Sequence, residues 1–297
     1  MNESQKEEEK QILLYSESFP LNEKNERNRV KPVSQVHKLL SGVKLDLDKI
    51  YYKGLGPEHY EEVKNLHKEW FPVDYPEEIF SNSLLYNQGA FITQGAFYYL
   101  EEEKKEVILG LIICQWNYVG QYFFKMIDNN PKILDEIKKS INYEEEAQFF
   151  LSKQKFYSIL YIISIGVIDE CRKMNIGTNL IKDIMNYVIY FPFNTGIYLN
   201  VIADNFSGKK FYEKNGLICS NRLKDFYVIE DKKYDSDVYV KIFNREQKTA
   251  VRKYQYSNMN WKQKAYLLFI LKPFYLLIKL FLIICLCRCF NKKIKYD

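Results

Sequence analysis

The chain has 297 residues, a formal net charge of +5, 47% hydrophobic residues and 16% aromatic residues. That is enough apolar sequence for one large or two small domains, and the charge is too mild to argue for nucleic acid. Six cysteines without a CxxC pair fit neither a disulfide framework nor a zinc site, and three histidines confined to His37, His59 and His67 exclude a histidine metal cluster or a histidine base late in the chain.

That cysteine spacing makes a reducing, cytosolic setting the expectation, and the start, "MNESQKEEEK", is charged and lacks the apolar core of a signal peptide. Residues 1–46 are polar with scattered apolar positions and read as a flexible arm. A strand is expected at Ile50–Leu55. A helix follows, carrying Tyr60, Val63, Leu66, His67 and Trp70 near helical spacing. Pro76 suits a first helical position, with Glu77 and Glu78 in the first turn. Two β segments, "AFITQGAFYYLEE" and "EVILGLIICQWNYV", read as a hairpin. Residues 118–155 form an insertion with a helix start at "NNPKILDEIKKSI". A strong strand then spans Tyr157–Ile168, and alternation along it puts Tyr161, Ile163, Ile165 and Val167 on one face. A loop and helix follow, then "GIYLNVIADNFSGKKFYEKNGL", read as strand, break and helix. Two short strands near Phe226–Ile229 and Val238–Phe243 close the series. The order argues one mixed α/β domain over residues 47–245.

The chemistry concentrates at "VIDECRKMNIGTNL". A strand delivers Arg172, Lys173, Met174, Asn175, Ile176, Gly177 and Thr178 to a helix start near Ile176. Backbone N–H groups converging at a helix start, with the helix dipole and two cationic side chains, make a phosphate or pyrophosphate cradle. Neither GxxxxGK[ST] nor GxGxxG is present, and an ordinary strand-to-helix turn fits this segment equally well. Asn175 is the non-glycine residue type best able to adopt positive φ there.

The loop resembles the R-x-x-G-x-[GA] acetyl-CoA signature of the GNAT acetyltransferases. "NFSGKKFYEKNGL" is similar to that family's second signature. "EWFPVDYPEEIF", "YIISIGVI", "IYLNV" and "DFYVIE" resemble N-terminal acetyltransferases of the NatE and NatF types, closest to the Golgi-associated NatF type. The resemblance covers roughly residues 50–243. It implies a GNAT fold, with a mixed central sheet and flanking helices. It implies transfer from acetyl-CoA to the α-amino group of proteins beginning with Met and an apolar or amphipathic residue.

Matched residue by residue, the resemblance implies catalytic roles for Tyr161, acting through a water, and for Tyr212, near the coenzyme A sulfur. Asn200 stands where the family has a catalytic histidine. A carboxamide can hold a water but cannot take up a proton at neutral pH. Asn200 therefore reads as water positioning, as a structural polar residue, or as a sign of weakened catalysis. The backbone of Ile165, Gly166 and Val167 is expected to pair with the pantetheine arm, Arg172–Thr178 to cradle pyrophosphate, and Asn205 and Asn215 to contact the coenzyme. For Asn205 a helix N-cap is an equally compatible role. Phe71, Pro72, Tyr75, Ile163, Phe226 and Tyr227 are implied as substrate-binding. No metal and no nucleic acid are expected. Two other readings stay open: a catalytically weakened membrane adaptor of the same fold, and a lysine acetyltransferase.

Residues 246–297 form a basic, apolar tail, with membrane contact expected over 261–290. Ala265–Cys287 is long enough to cross a bilayer. Lys272 and Lys279 cost about 5 to 7 kcal/mol on the insertion scale, roughly what the 15 Leu, Ile and Phe of Ala265–Cys287 return. Hydropathy thus does not decide between spanning and lying in the interface. The two lysines share one helix face, which suits an interfacial helix. Cys285, Cys287 and Cys289 are palmitoylation candidates at the boundary. The resemblance implies attachment to the cytosolic face of an internal membrane such as the Golgi.

Overall fold

The computed structural model describes residues 39–40, 45–86, 89–119, 123, 126–128, 130–140, 158–189, 191, 194–229, 231–244 and 257. Most of the arm, much of the insertion and nearly all of the tail lie outside the described residues. Among the described residues no helix is long and apolar enough to cross a membrane.

A seven-stranded mixed sheet organises the domain, in the order β1-β2-β3-β4-β5-β7-β6. The strands are β1 (Tyr51–Lys53), β2 (Phe91–Leu100), β3 (Lys105–Tyr118), β4 (Ser158–Val167), β5 (Asn194–Ile202), β6 (Ile218–Ile229) and β7 (Lys232–Ile242). Only β4 and β5 run parallel; the other neighbours are antiparallel. The helices are α1 (Tyr60–Trp70), α2 (Glu77–Phe80, prolonged by a π turn over Ser81–Leu85), α3 (Pro131–Ser140), α4 (Ile176–Val188) and α5 (Phe206–Lys214). The expected order of seven strands and the helices between them is found. The first strand is shorter than expected, and the last two form one long hairpin. That hairpin escapes a hydropathy reading because β6 is an edge strand, exposed at most positions, with Ser, Asn, Arg, Lys and Asp breaking its apolar run.

The three longest helices, α1, α3 and α4, each form because one stripe is apolar. α1 buries Val63, Leu66 and His67, and α4 buries Ile176, Leu180, Ile181, Ile184 and Val188. α3 packs its Ile133 and Ile137 with Ile159 of β4, Tyr198 of β5 and Val238, Val240 and Ile242 of β7. The C-terminus of α5 is closed by Gly216 at φ +79, a left-handed cap that glycine adopts without steric cost.

Gly196 sits where β5 presses against β7. A Cβ there would lie 2.1 Å from the Lys241 carbonyl oxygen. Backbone cannot yield as a side chain can, so Gly196→Ala is expected to destabilise the domain by about 1–3 kcal/mol, read as a lowered urea midpoint.

Candidate active site

A split between β4 and β5 builds the site. The two strands pair from Ser158 to Ile162 on β4, ending at Ile162–Leu199. Beyond that point β4 continues to Val167 against β3 alone, and β5 continues to Ile202 against β7 alone. A β-bulge drives them apart. On β3 the neighbours Ile113 and Cys114 face Ser164 and Ile162, so Ile163 is the extra residue. A bulge bends its strand and increases the local twist.

The bulge also corrects the alternation expected from the sequence. Tyr161 faces Gln115 and Ser164 faces Ile113, and Gln115 and Ile113 share a face. Ser164 and Gly166 therefore join Tyr161 on one side, while Ile165 and Val167 turn to the other. The β4 backbone from Ile163 to Val167 is left with an edge that no strand covers. Such an edge takes an extended, amide-bearing arm as an added strand. On the Tyr161 side the end of α1 closes directly over it. A Cβ on Gly166 would lie 2.5 Å from the Trp70 ring and 3.1 Å from Phe71.

At the end of β4 the loop turns into α4 through two left-handed residues, Lys173 (φ 67) and Asn175 (φ 61). Asn175 is the N-cap residue in the αL region, as its residue type suggests, but its side chain makes no capping bond. The first N–H groups of α4, on Ile176, Gly177 and Thr178, have no acceptor within the helix. They present the positive end of the dipole to an anion. Arg172 donates from Nε to the Val167 carbonyl at 3.3 Å and pairs with Asp169 at 2.5 Å. Both side chains are exposed, so this pair orients Arg172 more than it stabilises the fold. The Met174 N–H donates to the Cys171 carbonyl at 3.4 Å, tightening the turn. A Cβ on Gly177 would meet the Phe211 ring at 3.1 Å, so the cradle rests on α5.

On the Tyr161 side of the sheet, Asn200 donates from Nδ2 to the Tyr161 hydroxyl at 3.4 Å. Tyr161 stacks on Tyr198 with ring centroids 4.8 Å apart, and Asn117 donates to the Tyr198 hydroxyl at 2.6 Å. The Asn200 Oδ1 is buried without a hydrogen-bond partner among the described residues. Tyr75 donates to the carbonyl of the bulged Ile163 at 3.4 Å. Burial raises the titration of Tyr75, Tyr212 and Tyr227, and each is raised further by the phenol of Tyr161. No carboxylate or amine is among the groups that shift these three, so the phenols form a neutral, proton-bearing cluster.

The walls are aromatic. Phe71 and Tyr75 meet edge to face at 5.5 Å, with Pro72 exposed beside them. Opposite, the register of β6 on β7 slips between Leu223 and Tyr227. Asp225 there has φ 53, and its N–H is held by Asp235 at 3.1 Å. The slip carries out Phe226, whose ring meets Tyr227 at 4.9 Å.

α5 is anchored at both ends. Asn205 caps its N-terminus by accepting from the Gly208 N–H at 2.9 Å, which leaves its amide NH2 for any ligand. Asn215 lies at the other end, where its amide caps the Phe211 carbonyl at 2.8 Å. The bond the structure gives the Asn215 side chain is this cap. Buried Asp237 receives Lys209 of α5 at 2.7 Å and Arg222 of β6 at 2.7 Å, and these partners hold its carboxyl below the usual range. Asp237, Lys209, Tyr198 and Asn117 were not legible as site supports. Neither was His67, although a histidine on an otherwise apolar helix face was a signal. Among the described residues no group of three or more His, Cys, Asp or Glu side chains is placed to hold a metal.

Residues 60–217 match the Acetyltransferase (GNAT) family. The chain is 24% identical over 203 residues to N-alpha-acetyltransferase 60 of Drosophila melanogaster, covering 67% of this chain and 70% of that protein. It is 21% identical over 200 residues to the histone acetyltransferase MCC1 of Arabidopsis thaliana, covering 66% and 70%. Among solved structures, Arabidopsis thaliana NAA60 in complex with a bisubstrate analogue aligns with a TM-score of 0.51 at 25% identity, over 66% of this chain and 99% of that one.

Burial pushes His67 down to about 4. The folded chain then stays neutral at this position while the unfolded chain takes up a proton below about 6.5. Stability is expected to fall as pH drops from about 6.5 to about 4, by up to about 3 kcal/mol. Urea midpoints across that window check it, and His67→Phe is expected to remove this component of the slope.

Proposed function

The chain belongs to the GNAT acetyltransferase family, and on that premise we propose that it transfers acetyl from acetyl-CoA to the α-amino group of protein N-termini. The substrates we propose begin with Met followed by an apolar or amphipathic residue. The observation that carries this reading is the split between β4 and β5, where Phe71, Tyr75 and Tyr227 gather beside Tyr161 and no carboxylate is among the groups that shift the phenols. Aromatic walls take up an apolar side chain at a peptide's start, and hydroxyls among them can bond its backbone. Similarity to proteins named N-alpha-acetyltransferase 60 supports the choice of an α-amino acceptor.

The fit to acetyl-CoA rests on two features: the uncovered edge at Ile163–Val167 for the pantetheine amides, and the Arg172–Thr178 cradle for the pyrophosphate. When bound, acetyl-CoA supplies the acyl group as an activated thioester. Tyr212, kept protonated by burial, holds the proton that a departing sulfur needs. Asn200 offers its unpartnered Oδ1 as acceptor to the amine N–H or to a bridging water, while its amide fixes the Tyr161 hydroxyl. A peptide α-amine titrates near ~8, so presenting it neutral costs about 1 kcal/mol at neutral pH. A site without an imidazole base can bear that cost. We further propose that residues 261–290 bring the domain to the cytosolic face of an internal membrane, on the strength of their apolar and basic sequence.

A second reading, acetylation of lysine, is favoured by the similarity to a protein named histone acetyltransferase. One panel separates the two. The full chain is expected to turn over peptides beginning Met-Leu, Met-Ile and Met-Lys with free amino termini, and not the same peptides once blocked. Turnover of blocked, lysine-bearing histone peptides in preference would overturn the proposal. Tyr161→Phe is expected to lower kcat on the order of 10²-fold with little change in acetyl-CoA affinity. The rate should rise with pH along the titration of the substrate's own amine. A limb that stays fixed when the peptide's amine pKa is changed would reveal a base on the enzyme instead.

A further inference from the structure

His67 takes no part in the chemistry above, yet it is buried at the junction of three site elements. Its Nδ1 lies 2.8 Å from the Val63 carbonyl, and its Nε2 lies 2.8 Å from Ser164 Oγ. A carbonyl can only accept, so Nδ1 carries the ring proton. Burial keeps the ring neutral, so Nε2 accepts and Ser164 donates. Ser164 is the residue next to the bulged Ile163. The same ring touches Phe71 at 5.0 Å, Tyr75 at 5.2 Å and Phe80 at 5.0 Å.

The segment between α1 and α2 has its backbone tied at its ends, by the Phe71 N–H to the His67 carbonyl and by the Ile79 N–H to the Pro76 carbonyl. Between those ties both wall rings rest on His67. β4, by contrast, is held along its length by the β3 ladder. Loosening the bond between His67 and Ser164 would therefore move the loop and leave the strand in place.

We propose that His67 is a positioning residue that pins the Phe71–Tyr75 wall to the bulge of β4 and so sets which N-terminal residues the pocket accepts. This rests on the peptide-acetyltransferase reading. The test compares His67→Phe, Ser164→Ala and the double variant in the full chain. His67→Phe keeps a ring of similar shape but strands a buried hydroxyl, and the double variant removes both partners, which restores stability when shape is kept.

In His67→Phe and in the double variant, peptide KM is expected to rise about tenfold and discrimination between Met-Leu and Met-Lys peptides to shrink, with acetyl-CoA KM unchanged. A merely structural role predicts instead that the double variant recovers peptide KM together with its thermal midpoint, and that result would overturn the proposal. Amide exchange over residues 71–76 reads the pin without any substrate. It is expected to quicken in both variants, and unchanged exchange would overturn the proposal even if every peptide proves inert. Quickened exchange with no turnover of any peptide by the wild type would instead fault the peptide-acetyltransferase reading.

Discussion

The one extra residue in β4 governs this site. A parallel pair of strands in a mixed sheet would ordinarily stay paired to its end, burying both edges. Here Ile163 has no opposite number on β3, the strand bends, and the ladder to β5 ends at Ile162–Leu199. The uncovered backbone that results is expensive in a protein interior, where an unmade amide hydrogen bond costs about 1–3 kcal/mol. It becomes useful only if something extended pairs with it. The anion cradle at the start of α4 lies at the end of the same strand, so a long ligand with amides in its middle and phosphates at one end fits both.

The polar chemistry around the split follows from what is missing. The polar side chain that β5 places beside Tyr161 is the carboxamide of Asn200 and not an imidazole, and the described histidine nearest this region, His67, is buried, neutral and turned to Ser164. What remains is a set of phenols that burial holds in their protonated form and one carboxamide oxygen without a partner. Such a site orients and donates; it does not store a proton from the substrate. That arrangement suits an acceptor already part-neutral near physiological pH better than a lysine, whose ammonium titrates near 10.4 and would need a true base.

Much of this was legible in the sequence, and the parts that were not have a common cause. The strand, the turn with Asn175 at positive φ and the helix start that follows were readable because they lie close together along the chain. The strands β2 to β5 were readable because each carries a run of β-branched, aliphatic or aromatic residues. The face assignments of Ile165 and Val167 were wrong because the bulge is defined by the partner strand some fifty residues earlier, and alternation alone cannot reveal it. The β6–β7 hairpin was under-read because an edge strand keeps its pairing while showing polar side chains. The support of α5 by Asp237 and Lys209 joins residues that only the fold brings together.

The central claim is that the uncovered edge of β4 receives the coenzyme. Amide hydrogen exchange across residues 163–168 of the full chain, with and without acetyl-CoA, tests it most directly. The account predicts marked slowing at these residues, together with the N–H groups at the start of α4. Tight acetyl-CoA binding that leaves 163–168 exchanging as in the free protein would contradict it.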